Sequence, residues 1–202
     1  MKNYLILYYK MKRIFEKLSK IIFKKQMNRS KPWKEMSREV IFEKFNRKVE
    51  EVTFLTPDNK KEKYWIRNEQ KVATVLALTP EKKVILCQQF RHGPKKVLTE
   101  FPGGLVNEGE EPIVAAKREL LEETGYSGKM ELVTPYFDDG YSTRVSYAFV
   151  ATGCRKIGKQ KLDTTEYIQV RLFSLDRLKR LLRSGNMTDI EVGYLGLDYL
   201  GL

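Results

Sequence analysis

The stretch that decides the fold reads Phe101-Pro102-Gly103-Gly104-Leu105-Val106-Asn107-Glu108-Gly109-Glu110-Glu111-Pro112-Ile113-Val114-Ala115-Ala116-Lys117-Arg118-Glu119-Leu120-Leu121-Glu122-Glu123-Thr124-Gly125-Tyr126. It joins a glycine-rich loop to a short acidic helix. Pro112 suits the first helical turn, where a missing N–H costs nothing. Gly125 suits the left-handed residue after the last turn. Between them Ile113, Ala116, Leu120 and Thr124 recur at helical spacing and predict an apolar stripe. Glu119, Glu122 and Glu123 stand at i, i+3 and i+4 and share a face beside that stripe. Like charges so placed repel, each pair costing roughly a few tenths of a kcal/mol on an exposed helix. Arg118, four residues before Glu122, is the one cation at a spacing that relieves them. A divalent cation would relieve them better, and hard oxygen donors without His or Cys point to magnesium or manganese rather than zinc. The preceding glycines let backbone approach a phosphate or a metal closely. These residues read either as a metal–carboxylate site facing a phosphate-sized gap or as a solvated acidic helix face capped by glycine.

The spacing separates the two readings. Gly104, Glu110, Arg118, Glu119, Leu120, Glu122, Glu123, Gly125 and Tyr126 fall at the defined positions of the Nudix box. That box is Gly, five residues, Glu, seven residues, Arg-Glu-aliphatic, one residue, Glu-Glu, one residue, Gly-aliphatic. Tyr126 stands where an aliphatic is commoner. The chain therefore resembles the Nudix hydrolases.

Composition bounds the remaining classes. The 202 residues suffice for one domain with a core plus an extension, and 42% apolar content is ordinary for a globular chain. Cys87 and Cys154 read as reduced residues, with neither a disulfide framework nor zinc spacing. His92 is the one histidine, which argues against His-dependent nucleophilic catalysis and histidine metal sites. No apolar run nears the ~20 residues that span a membrane. The expected localisation is cytoplasmic. The net charge of +12 is uneven: residues 1–34 hold eleven Lys and Arg against one acid, Glu16. The rest is nearly neutral, so no specific nucleic-acid partner is expected.

Three segments are expected: a basic extension over 1–31, N-terminal strands over 32–70 and a hydrolase domain over 71–202. In the first, Leu7, Met11, Ile14, Leu18 and Ile21 alternate by four and three beside Lys10, Arg13, Lys17, Lys20 and Lys24. This is a basic amphipathic helix. It reads as an anionic-membrane contact through residues 1–26, with Phe15, Ile22 and Phe23 inserted. It reads equally as a helix packed on its own domain or a dimer partner. Strands are expected over 37–46, 48–55 and 62–67, with Trp33 and Trp65 as core or interface anchors. Further strands are expected over 71–79, 83–90, 97–101, 130–137 and 145–152. Ser174 caps a helix carrying Leu175, Leu178, Leu181 and Leu182, and Thr188-Asp189 opens the last one.

The resemblance spans roughly residues 36–202 and is closest to the ADP-ribose pyrophosphatase branch. It implies a Nudix-type α/β/α sandwich on a mixed sheet with a small antiparallel N-terminal sheet, and a homodimer. It implies Mg2+, with Mn2+ as an alternative, on Glu119, Glu122, Glu123 and the carbonyl of Gly103, with Gly104 in the loop that meets substrate. Gln88-Gln89-Phe90-Arg91 resembles a segment of that branch that makes Arg91 a pyrophosphate or ribose-phosphate contact, the alternative being a surface arginine. Glu100 precedes Phe-Pro-Gly-Gly and stands either as a contact to adenine or ribose edges or as a strand-end carboxylate in water. Arg118 would pair with a box carboxylate, and Glu110 would support the loop. Glu166, in Glu-Tyr-Ile-Gln-Val, is the transferred candidate for the base; a box glutamate is the other. The implied substrate is a nucleoside diphosphate derivative, ADP-ribose first, giving AMP and ribose 5-phosphate. Asp138-Asp139-Gly140-Tyr141-Ser142-Thr143-Arg144 departs from the family's loop, with Thr143 and Arg144 where acids are usual. Another sugar nucleotide such as GDP-mannose, or a dinucleotide, therefore remains open. So does a non-catalytic nucleotide-sensing or RNA-binding module, against which the intact glutamates argue.

Overall fold

Apolar runs bounded by turn residues become the central strands of this protein. The computed structural model describes residues 31–45 and 47–202. The amphipathic helix expected over 1–31 lies, but for Lys31, outside the described residues. Strands β1 (Lys34–Lys44), β2 (Arg47–Leu55) and β3 (Lys61–Asn68) form a three-stranded antiparallel sheet in that order. One compact unit takes in the described residues up to Ile41 together with Glu50–Trp65. The other comprises Phe42–Val49 and Ile66–Leu202.

The second unit is built on β4 (Val72–Leu78), β5 (Val84–Arg91), β6 (Lys96–Glu100), β7 (Gly103–Leu105), β8 (Tyr126–Tyr136), β9 (Ser146–Lys156) and β10 (Gln169–Phe173). The sheet runs β10-β5-β4-β9-β8, with β6 on β5 and β7 on β4. Only β4 and β9 among its pairs are parallel, so the sheet is mixed. Helices α1 (Pro112–Thr124), α2 (Leu175–Ser184) and α3 (Ile190–Tyr199) cover it. Side chains alternate across a strand. Ala73, Val75 and Ala77 of β4 therefore join Ala115, Ala116, Leu120 and Phe149 in one core. Leu76 and Leu78 join Leu178, Leu182, Val192 and Leu197 in the other. Two cores on the two faces of one sheet make the three-layer sandwich expected from the sequence.

Particular expectations need correcting. The stripe on α1 runs through Ala115 rather than Ile113, which is exposed, and it takes in Glu123. Trp33 and Trp65 are exposed and belong to neither core. Phe45 sits at the tip of the β1–β2 hairpin with φ 53°, and every residue of β1 is exposed. Strand β7 lay unread within the glycine loop. Asp189 opens α3 without capping it through its side chain. Ser174 does cap α2, accepting from the Arg177 N–H at 3.3 Å.

Gly125 ends α1 at φ 76°, and its N–H donates to the Leu121 carbonyl at 2.8 Å. A Cβ there would stand 2.3 Å from the Gly158 carbonyl oxygen. Gly125→Ala combines a left-handed penalty with a backbone clash and is expected to cost on the order of 2 kcal/mol or more. Thermal melting should fall by several degrees, and a melt within a degree of wild type would contradict this packing.

Candidate active site

Three backbone features bring the box side chains together. Strand β7 pairs with β4 through Thr74–Gly103, Ala73–Gly104 and Val72–Leu105, which lays the glycines along the sheet beside α1. Neither position admits a side chain. A Cβ on Gly103 would stand 2.5 Å from the Ala73 carbonyl oxygen, and one on Gly104 would stand 2.4 Å from Glu119 Oε1. Gly104 thus leaves the space that the Glu119 carboxylate uses.

Arg118 is the hub. Its Nε and Nη2 donate to the two oxygens of Glu110, each at 3.0 Å, and Nη2 also donates to the Leu105 carbonyl at 3.0 Å. Its Nη1 donates to Glu119 at 2.6 Å and to Glu122 at 3.2 Å. Glu110 Oε2 accepts the Asn107 N–H at 2.9 Å, closing the loop before the helix. One guanidinium fork therefore ties loop, strand and helix, which suits the planar geometry of arginine better than lysine.

Glu123 is buried at 6% exposure. Its Oε2 accepts the Gly103 N–H at 2.9 Å, and the Cys87 thiol donates to the same oxygen at 3.8 Å. Burial pushes its carboxyl up to about 8, against the lowering effect of the Gly103 N–H, and Glu119 and Glu166 push it further up. Burial also raises Glu119, which Arg118 opposes. Burial foremost, with the neighbouring carboxylates, raises the Cys87 thiol far above its ordinary range, so it is inert as a nucleophile.

A pocket of about 580 Å³ opens beside these groups. Gly103, Gly104, Arg118 and Glu119 form one part of its wall, and Arg91 and Glu166 also line it. Arg91 is held by Glu100: its Nε donates to Oε1 at 2.7 Å and to Oε2 at 2.9 Å. Gln89 donates to the same carboxylate at 2.9 Å. Glu100 is 1% exposed and does not line the pocket, so its oxygens serve Arg91 and Gln89.

Glu166 rides on the segment between β9 and β10. Lys161 N–H donates to the Glu122 carbonyl at 2.8 Å, and Gln160 Nε2 donates to the Glu123 carbonyl at 2.7 Å and to the Ile168 carbonyl at 3.1 Å. These bonds pin the segment to the C-terminal end of α1. Glu166 Oε2 accepts the Asp163 N–H at 3.0 Å.

The sequence reading missed Glu69, Asp163 and Asp189, all of which line the pocket. The Glu69 side chain is 4% exposed and meets Arg47 at 3.3 Å, Arg67 at 3.5 Å and Arg144 at 3.2 Å. Ser142 Oγ donates to it at 2.8 Å. Arg144, which had marked a departure from the family's loop, is therefore a tie between that loop and Glu69. Asp163 lies three residues before Glu166 and could have been flagged by that proximity. Glu69 and Asp189 carry no local signal.

No group of three or more His, Cys, Asp or Glu among the described residues is gathered in ligand geometry. Arg118 engages Glu119 and Glu122, and the Gly103 N–H engages Glu123. The donor set nevertheless fits a hard divalent cation. It offers carboxylate and carbonyl oxygens, it gathers three carboxyl side chains against the one guanidinium of Arg118, and burial raises the Glu119 and Glu123 carboxyls.

The NUDIX domain matches residues 68–192. The ADP-ribose pyrophosphatase of Bacillus subtilis (strain 168) is 32% identical over 149 residues, covering 72% of this chain and 80% of that protein. The methanol dehydrogenase activator of Bacillus methanolicus is 31% identical over 149 residues, covering 70% of this chain and 80% of that protein. A crystal structure of an ADP compounds hydrolase shares the fold, with a TM-score of 0.74 at 17% identity over 85% of this chain and 95% of that one. With its box helix, glycine strand and pocket in this arrangement, the chain belongs to the Nudix family and is a hydrolase of the pyrophosphate bond in a nucleotide-derived substrate.

Proposed function

We propose that this Nudix hydrolase cleaves ADP-ribose to AMP and ribose 5-phosphate. The reading is carried by one observation: Glu119, the two loop glycines, Arg91 and Glu166 share the wall of one pocket. Its volume falls within the range of small-molecule sites. The activity named for the Bacillus subtilis relative supports the choice of ADP-ribose.

Glu119, Glu122, Glu123 and the Gly103 carbonyl would hold magnesium, with manganese as the alternative. When bound, the ion neutralises pyrophosphate charge and lowers the pKa of a water. Arg91, oriented by Glu100, pairs with a pyrophosphate oxygen. The Gly104 backbone admits the phosphate close to Glu119. Glu166 accepts the proton of the attacking water. The water oxygen bonds to one phosphorus as the bond from that phosphorus to the bridging oxygen breaks, in line. Arg118 keeps the box carboxylates in register throughout.

A panel of ADP-ribose, GDP-mannose and a dinucleotide, each with magnesium, tests the substrate. ADP-ribose is expected to give the highest kcat/KM; a higher value for GDP-mannose would replace it. Glu166→Gln is expected to lower kcat by about 10²-fold or more with little change in KM, because a base acts in the transition state. An unchanged kcat would remove Glu166 from that role.

A homodimer in the cytoplasm, with contact to an anionic membrane surface through residues 1–26, completes the proposal. Each lysine near such a surface contributes on the order of 1 kcal/mol. Deleting residues 1–26 is expected to leave catalysis intact and abolish co-sedimentation with anionic vesicles. Full-length protein that ignores vesicles, with a truncated form melting many degrees lower, would make that segment structural instead.

A further inference from the structure

Asp189 occupies the N-cap position of α3 but does no capping: its φ is 53° and its side chain makes no bond to the helix N–H groups. Aspartate is among the best capping residues, and although it enters the left-handed region more readily than most residues with a Cβ, glycine does so at lower cost. The left-handed backbone turns the side chain away from the helix N–H groups, so the cap is forgone. In that conformation Asp189 lines the pocket in company with Arg91 and Phe101.

Its carboxylate is poorly supplied with donors. The Thr188 hydroxyl donates to Oδ2 at 2.6 Å, and no other hydrogen bond reaches the side chain among the described residues. A carboxylate has about four acceptor sites, so most remain open. Burial raises this carboxyl, Glu100 and Glu191 raise it further, and Arg91 opposes them. A second anion would be repelled here. Neutral hydroxyl donors would fill the open sites without adding charge, and two adjacent hydroxyls match the two oxygens of a carboxylate.

We propose that Asp189 is a specificity-determining residue that accepts hydrogen bonds from the vicinal hydroxyls of a sugar in the substrate. This rests on reading the pocket as the nucleoside diphosphate site. It selects ribosyl and glycosyl derivatives over derivatives that lack a diol at that place. The diol can belong to the nucleoside ribose or to the sugar beyond the second phosphate.

Equilibrium binding without a divalent cation tests it independently of turnover. Calorimetry would compare ADP-ribose with ADP, which lacks the second sugar, and with 2′-deoxyadenosine diphosphate ribose, which lacks the nucleoside diol. Wild type is expected to bind ADP-ribose about tenfold to a hundredfold more tightly than one of these two. Asp189→Gly is expected to abolish that ratio while melting at or above wild type, because glycine relieves the left-handed backbone. Asp189→Asn, which tolerates the same backbone, is expected to reduce the ratio in part. A wild type without either preference, or an Asp189→Gly variant that keeps the ratio, would overturn the assignment.

Discussion

Glu123→Gln and Glu122→Gln are each expected to lower kcat on ADP-ribose by about a thousandfold, or ~4 kcal/mol of barrier, at saturating magnesium. The two variants should differ in stability, which separates the chemistry from the fold. Glu123 is buried with its carboxyl pushed up to about 8, whereas Glu122 is more exposed. An acid whose folded pKa lies above its unfolded value binds more protons folded than unfolded. Its ionisation therefore destabilises the fold as pH rises from about 4.5 toward 8. Gln keeps an acceptor for the Gly103 N–H and carries no charge. Metal-free Glu123→Gln should then melt at or above wild type at pH 8, with the gain shrinking as pH falls toward 4.5. Melting curves over that range, taken beside turnover, check both halves. Rates near wild type in both variants would sink the carboxylate assignment.

Arg118→Met is expected to damage fold and function together. It strips donors from Glu110, Glu119, Glu122 and the Leu105 carbonyl in one step. Breaking a buried ion pair costs about 3–5 kcal/mol. The guanidinium here is partly exposed, so a loss of about 2 kcal/mol is the expectation. Magnesium should raise the melting temperature of this variant more than that of wild type, because the cation then relieves carboxylates that Arg118 no longer holds. Equal magnesium shifts in the two proteins would contradict the idea that arginine and cation act on the same carboxylates.

Much of this site is legible in the chain because its signals are local. Pro112 and Gly125 mark the helix ends, and the Arg118–Glu122 spacing is set by helical geometry alone. Glu123 was harder to read. Its spacing puts it with Glu119 and Glu122, but only the approach of β7 and Cys87 buries it. Strand β7 has three residues, two of them glycine, and too little alternation to announce itself. Its identity comes from register with Val72 to Thr74, which is long-range information. Glu69 and Asp189 reach the pocket for the same kind of reason, one from the entry to β4 and the other from the start of α3. Arg144 shows the opposite case: its oddity was visible in the sequence, and its partner Glu69 was not. Size suggested a core or interface place for Trp33 and Trp65; Trp33, just ahead of β1, and Trp65, on β3, are both exposed, so the core reading fails.

The most direct test of attack by water on a pyrophosphate phosphorus is turnover of ADP-ribose with magnesium in 18O-labelled water, read by mass spectrometry of both products. One labelled oxygen on the phosphate of either AMP or ribose 5-phosphate, with the phosphate of the other product unlabelled, is the expected result; the phosphate fragments are read because the free anomeric carbon of ribose 5-phosphate exchanges its own oxygen with water. Phosphates without label in both products, or intact ADP-ribose after prolonged incubation, would contradict it.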